Sequence, residues 1–352
     1  ISWTWDNPLL HPIMKKFLTV FDVQKSDCFI FTLAFFASFM WSVYYEPPSY
    51  LTWRPFGSQI HEVKVGNISG SFGTHRHKSR GGRMLSDVIS SKVKVLCMIF
   101  THEKNYPKAV TVNMTWSQRC TKHVFISSKQ VGELPTIKVD VVDEWKYLWN
   151  KTRESFKWAY HNELDNFDWF IKADDDTYVI VENMKYLLSF YDPNEPWYFG
   201  CRFSPYVKKG YMSGGAGYIL SKKAVTLLVE NGLRNSNYCD QGMTGPEDVN
   251  MGKCLENVGV FFGDSRDELN RWRFFPFKLS SFFTYNDIPK NMWYWDYIYY
   301  NITLDMNCCS HTAISAHYID SNKMLLYNYL LYHVQLPFQK KFIKYLPSKV
   351  FQ

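Results

Sequence analysis

Residues Trp169–Tyr178 read WFIKADDDTY, an apolar, β-prone run that stops abruptly at three carboxylates, Asp174, Asp175 and Asp176. Ligands of an open α/β sheet gather beyond the carboxyl ends of its strands, so these acids belong at a crevice. Three adjacent carboxylates repel one another and lose hydration unless a cation neutralises them. A divalent cation with oxygen ligands, bridging to a diphosphate, answers both costs. Alternate residues of an extended segment share a face, which pairs Asp174 with Asp176. A solvated acidic turn would carry the same letters; the strand leading into it favours a site.

Two further apolar runs lie upstream, Lys92–Phe100 (KVKVLCMIF) and His123–Ile126. With Phe167–Ala173 they suit buried parallel strands. Between the second and third, Trp145, Leu148, Trp149, Thr152, Phe156, Ala159 and Tyr160 recur at helical steps, placing them on one face. A second helix is expected over Lys222–Glu230, ended by Asn231-Gly232. A third should start at Gly245-Pro246-Glu247-Asp248 and run to about Asn257, with acids at its positive end. Strands alternating with helices predict an α/β sheet with covered faces.

Four other segments carry candidate chemistry. Gly210–Leu220 (GYMSGGAGYIL) has glycines at 214, 215 and 217 that permit close backbone approach to a ligand. It lacks the phosphate-loop ending and the dinucleotide fingerprint, and a purely structural turn explains it equally well. Gly245–Gly252 (GPEDVNMG) offers paired carboxylates at a helix start. Either could serve as the base of an inverting glycosyl transfer, and both would also serve as caps. Asn291–Tyr300 (NMWYWDYIYY) packs six aromatics into ten positions, fit for a sugar platform or a buried wall. His317, in SAHYID, is either a third metal ligand or a structural histidine.

The 352 residues suffice for one large domain or two ordinary ones, and 46% hydrophobic against 21% charged residues excludes wholesale disorder. A formal charge of +7 without a compact basic stripe gives no nucleic-acid footprint. Cys28–Tyr45 is a stretch of eighteen residues without formal charge, preceded by Lys15, Lys16 and Lys25. This predicts a cytosolic tail over 1–27, a transmembrane signal anchor over 28–45 and a luminal remainder. Residues 46–91, rich in Pro, Gly, Ser and His, read as a stem; 92–335 as the catalytic domain; 336–352 as a C-terminal tail. Sequons at Asn67, Asn113, Asn150 and Asn301, and seven of eight cysteines beyond the anchor, agree with an oxidising lumen. Seven is odd, so one thiol is left over.

The order of these motifs resembles the core 1 β1,3-galactosyltransferases, the T-synthase branch of the family 31 β1,3-glycosyltransferases. The likeness runs from about Val93 to His333 through FIKADDDTY, EPWYFGCRFSPYVKKGYMSGGAGYILSKKA, EDVNMGKC, FGDSRD, MWYWDY, CCS and AHYIDS. It implies a GT-A fold, a Rossmann-like sheet that binds a nucleotide-sugar, preceded by one transmembrane helix. It further implies a Golgi, single-pass type II, homodimeric enzyme with a luminal catalytic domain. Such an enzyme moves galactose from UDP-galactose to the 3-hydroxyl of N-acetylgalactosamine on Ser or Thr of glycoproteins, with Mn2+. By position, Asp174, Asp176 and His317 become the metal ligands, Asp248 the base and Glu247 the residue orienting sugar hydroxyls. Lys172, Asp174, Asp175, Tyr211, Gly214 and Gly215 become donor or acceptor contacts, with Trp293, Trp295 and Tyr297 an aromatic wall. Family pairing implies the disulfides Cys97–Cys120, Cys239–Cys254 and Cys308–Cys309, leaving Cys201, which stands where relatives often carry a basic residue. A related transferase with another acceptor, and a non-catalytic chaperone-like paralogue, are the alternatives. Such chaperones lack the acidic metal motif that is present here.

Overall fold

The computed structural model describes residues 85–284 and 287–334. The expected cytosolic tail, the anchor at 28–45, nearly all of the stem and the tail at 336–352 lie outside them. No helix among the described residues is long and apolar enough to cross a membrane.

Strand β1 (Val95–Phe100) is buried along its length because both faces are covered. Val95, Cys97 and Ile99 enter one hydrophobic core, while Leu96, Met98 and Phe100 enter the other. On one side β1 pairs in parallel with β2 (Lys122–Ser127), which pairs in parallel with β3 (Thr136–Lys138). On its other side it pairs in parallel with β4 (Trp169–Asp174). The order β3-β2-β1-β4 makes the gap between β1 and β4 a topological switch point, where a crevice opens at the carboxyl ends. The α/β class expected from the sequence is therefore realised, with the acidic run at that crevice.

Beyond β4 the sheet becomes mixed. Two strands, β6 (Trp197–Gly200) and β9 (Tyr218–Ser221), pair antiparallel, and β9 also runs antiparallel to β4. Strand β10 (Phe261–Phe262) completes the seven, parallel to β6. A hairpin of β7 (Arg202–Phe203) and β8 (Tyr211–Met212) rises beside it. A small sheet joins β5 (Tyr178–Val179), β11 (Phe274–Phe275) and β12 (Ser315–Ala316).

The helices cover the sheet. Helix α1 (Leu85–Lys92) precedes β1, so the expected linker ends earlier than Ser91: Ile89 packs into the core and the Lys185 ammonium donates to Ser90 Oγ at 3.2 Å. Helix α2 (Tyr106–Met114) follows β1, and α3 (Leu148–Glu163) buries Trp149, Thr152, Phe156 and Ala159 as its period requires. Trp145 departs from expectation. It lies in a 3-10 turn before the helix starts, out of register with that face, and is 85% exposed. Helix α4 (Val181–Leu188) follows β5; α5 (Lys222–Leu227) is shorter than expected and widens into a π turn over Leu228–Gly232. Helix α6 (Glu247–Asn257) matches its expected span, and α7 (Tyr294–Tyr297) and α8 (Ser321–Tyr332) complete the set. The three disulfides implied by family pairing are formed, Cys97–Cys120, Cys239–Cys254 and Cys308–Cys309. Cys201 is a buried free thiol, pushed well above its usual pKa by burial.

Candidate active site

The acidic run and His317 converge through the small sheet. Strand β5 begins two residues after Asp176 and pairs antiparallel with β12, Ala316 opposite Tyr178. The next residue on β12's strand, His317, is thereby delivered beside the acids. One ligand atom each from Asp174, Asp176 and His317 lies within 4.8 Å of the others. The Asp176 Oδ1 to His317 Nε2 distance is 3.2 Å. Burial acts to raise the Asp176 pKa, but His317, the Lys108 charge and a local backbone hydrogen bond together outweigh it and hold this carboxyl below its usual value. Tyr318 adopts a left-handed φ of 56°, unusual for a bulky residue, and its ring stacks on His317 with centroids 3.9 Å apart. Two carboxylate oxygens and an imidazole nitrogen converging in this way fit a divalent ion such as manganese.

Asp175 points elsewhere. It is buried and accepts hydrogen bonds from Thr101 Oγ1 (2.7 Å) and Asn105 Nδ2 (2.9 Å), with the Lys108 ammonium at 4.0 Å. Burial raises its pKa. The expectation that it contacts the donor is thus corrected: it pins the loop after β1 to the end of β4. Lys172 is corrected in the same way. It is completely buried, on the α3 and α6 side of β4, where its Nζ donates to Asp174 Oδ1 (2.6 Å) and to the Gly214 carbonyl (3.1 Å).

Gly214 and Gly215 stand between the metal ligands and the acids of α6. A Cβ on Gly215 would lie 2.2 Å from the His317 ring, and one on Gly214 would lie 2.7 Å from Glu247 Oε2. These glycines are therefore needed for close packing of His317 and Glu247 against the backbone. Thr177 Oγ1 donates to the Gly215 carbonyl at 2.8 Å, tying the turn after the acids to that backbone.

At the other end, α6 opens with Glu247 and Asp248. Glu247 is buried; its Oε1 accepts from Thr152 Oγ1 (2.9 Å) and from Tyr218 Oη (2.6 Å). Burial raises its pKa, opposed by the Lys172 charge. One of its oxygens is thus committed to two protein hydroxyls, while the other faces Gly214; orienting sugar hydroxyls stays the role that the family likeness implies for it. Asp248 does reach a cleft of ≈ 560 Å³, lined also by Phe203, Tyr206, Tyr211, Trp293 and Tyr297. Its carboxylate accepts from the amides of Val249 (2.9 Å) and Gly214 (3.4 Å). Burial raises its pKa, and those amides only partly oppose the effect.

The aromatic run forms a helical turn rather than a flat platform. Trp293 and Tyr297, four residues apart, share the face that borders the cleft. Trp295, two residues from each, turns away and donates Nε1 to the Pro289 carbonyl at 2.9 Å; its expected place in the wall is corrected. Tyr211 lines the cleft while nearly buried, its ring against Phe203 and its Cβ so close to α6 that only glycine fits at 252.

Several site residues were not singled out by sequence. Tyr206 is exposed at the tip of the β7–β8 hairpin, and its hydroxyl meets that of Tyr297 at 2.6 Å. Lys151 is buried and donates to the Thr101 carbonyl and to Asp143 Oδ1, both at 2.5 Å. It sits in the Asn150-Lys151-Thr152 sequon, whose Asn150 is itself buried within α3. The burial of Lys151 is shared with Asn150, Arg153, Ser155 and Glu163 on the same helix, polar residues that no apolar period marks as interior. Cys201 lines a small cavity with Arg202, Arg266 and Arg273, apart from the aromatic cleft.

Residues 93–265 match the family model described as Fringe-like. The chain is 42% identical over 253 residues to glycoprotein-N-acetylgalactosamine 3-beta-galactosyltransferase 1 of Xenopus laevis, covering 71% of this chain and 69% of that protein. It is 26% identical over 152 residues to the beta-1,3-glucosyltransferase of Homo sapiens, covering 42% of this chain and 30% of the relative. Among solved structures, the galactosyltransferase LgtC in complex with donor and acceptor sugar analogues overlays with a TM-score of 0.36 at 12% identity, covering 64% of this chain and 87% of that one.

Proposed function

Because the chain belongs to the glycoprotein-N-acetylgalactosamine 3-beta-galactosyltransferase family and is a glycosyltransferase, we propose that it transfers galactose from UDP-galactose to N-acetylgalactosamine on Ser or Thr of glycoproteins. The observation that carries this proposal is the placement of two functional ends on either side of Gly214-Gly215. One is the Asp174, Asp176 and His317 group; the other is Asp248 at the mouth of an aromatic cleft.

A divalent ion, manganese in this proposal, would be held by Asp174, Asp176 and His317 and would neutralise charge on the leaving diphosphate. Asp248 takes the proton of the acceptor 3-hydroxyl as that oxygen bonds to the anomeric carbon and the bond to UDP breaks. A single displacement inverts that carbon. A carboxyl with a raised pKa is a stronger base once ionised, and the Gly214 and Val249 amides hold it in place. Trp293, Tyr297 and Tyr206 supply apolar faces and polar tips suited to an acceptor sugar ring.

The same proposal makes the protein a Golgi, single-pass type II enzyme that works as a homodimer, anchored by residues 28–45. Three disulfides among the described residues support an oxidising compartment. The test is a panel of UDP-sugars against N-acetylgalactosaminyl, N-acetylglucosaminyl and fucosyl acceptors, each with and without Mn2+. Galactose transfer confined to the N-acetylgalactosaminyl peptide and dependent on Mn2+ is expected; preference for another donor or acceptor would reject the assignment.

A further inference from the structure

The two ends of the site share one buried cation. Lys172 lies on the same face of β4 as Asp174, two residues on, and its side chain has no route to solvent. Its Nζ donates to Asp174 Oδ1 at 2.6 Å and to the Gly214 carbonyl at 3.1 Å. The Gly214 amide in turn donates to Asp248 Oδ2 at 3.4 Å. A line of hydrogen bonds thus runs from a metal-site carboxylate, through one ammonium and one glycine, to the acid at the cleft. Glu247 closes the other side. The position a Gly214 Cβ would take lies 2.7 Å from Glu247 Oε2 and 3.5 Å from Lys172 Nζ. The ammonium is thus paired with Asp174 and feels the Glu247 charge without touching it.

We propose that Lys172 is a positioning residue that couples metal binding to the placement of Asp248: a cation arriving at Asp174 displaces the ammonium from Oδ1, and the ammonium tightens on the Gly214 carbonyl and Glu247. This inference rests on the proposed metal site at Asp174, Asp176 and His317. A buried ammonium that loses one anionic partner must strengthen its hold on another, because leaving it unpaired in the interior is costly. Two consequences follow. The ammonium competes with the ion for Asp174, so removing its charge favours ion binding. It is also one of two donors to the Gly214 carbonyl, beside the Gly217 amide at 3.1 Å, so removing it loosens Gly214, whose own amide holds Asp248.

The experiment titrates Mn2+ into the full chain without nucleotide, following free Mn2+ by electron paramagnetic resonance, for the unsubstituted protein, Lys172→Met and Lys172→Gln. Both variants are expected to bind Mn2+ about threefold or more tightly than the unsubstituted protein. Their kcat is expected to fall about tenfold or more while the donor KM changes less. A merely structural lysine would weaken ion binding and turnover together. Unchanged or weaker Mn2+ binding, or an undiminished kcat, overturns the coupling; an unsubstituted protein that binds no Mn2+ overturns the metal site on which it rests. If the variants do not fold, 15N-lysine spectra of the unsubstituted protein decide the question. Diamagnetic Mg2+ should shift the buried ammonium resonance, and an unmoved resonance overturns the proposal.

Discussion

The metal end and the cleft end of this site are built by different means. Asp174 and Asp176 come from the tip of one parallel strand at the switch point of the sheet, and the third member is brought in by pairing of a small sheet. At the cleft end, the acid opens a helix and faces aromatics from a hairpin and a helical turn. The first end is polar and closely cradled on glycine; the second is open, apolar and rimmed by hydroxyls. The first suits an ion and a diphosphate, the second a sugar ring. The difference teaches that one crevice can divide binding of a leaving group from removal of a proton, with two glycines as the partition.

That division can be broken one end at a time. Asp176→Asn strikes the metal end and should lower turnover by about three orders of magnitude, with Mn2+ binding weakened in a spectroscopic titration. Gly215→Ala presses a methyl into the His317 ring, 2.2 Å from where its carbon would lie. It should weaken Mn2+ binding by about 10–100-fold while binding of an acceptor glycopeptide in the absence of donor stays the same. At the cleft end, Trp293→Ala should raise the acceptor KM by about 2- to 12-fold, the equivalent of ~0.5–1.5 kcal/mol of ring contact. Trp295→Ala, which removes a ring turned away from the cleft, should leave that KM in place. Steady-state kinetics on both variants check the pair.

A pH profile sharpens the same contrast. Asp248 must be ionised to accept a proton, and burial raises its pKa above the ordinary aspartate value of about 3.9. The sign follows directly: kcat/KM should fall as pH drops through that raised pKa, so the acidic limb lies above the usual aspartate range. A limb at or below about 3.9 in steady-state profiles would argue that another group accepts the proton.

The metal end was the more legible in sequence, because its two acids lie two residues apart where one strand ends, and the apolar residues before them reveal both strand and direction. His317 was legible only through family likeness, since its approach depends on β12 finding β5, a pairing that no local pattern encodes. At the cleft end, the start of α6 was clear from Pro246 and the two acids, yet which acid faces the cleft depends on Thr152 and Tyr218 claiming Glu247. Lys172 and Asp175 were misplaced for a related reason. Polar residues beside a site look like contacts until their burial and partners are known. Trp295 failed on geometry, because a helical turn groups residues four apart rather than two.

The division of labour is tested most directly by measuring Mn2+ and UDP binding together with transfer on one preparation of Asp248→Asn. Retained binding of both, within about twofold, with transfer reduced by about 100-fold or more is the predicted result. Full transfer activity in that protein, or loss of Mn2+ binding along with transfer, would contradict the assignment of proton removal to Asp248 and of ion binding to the opposite end.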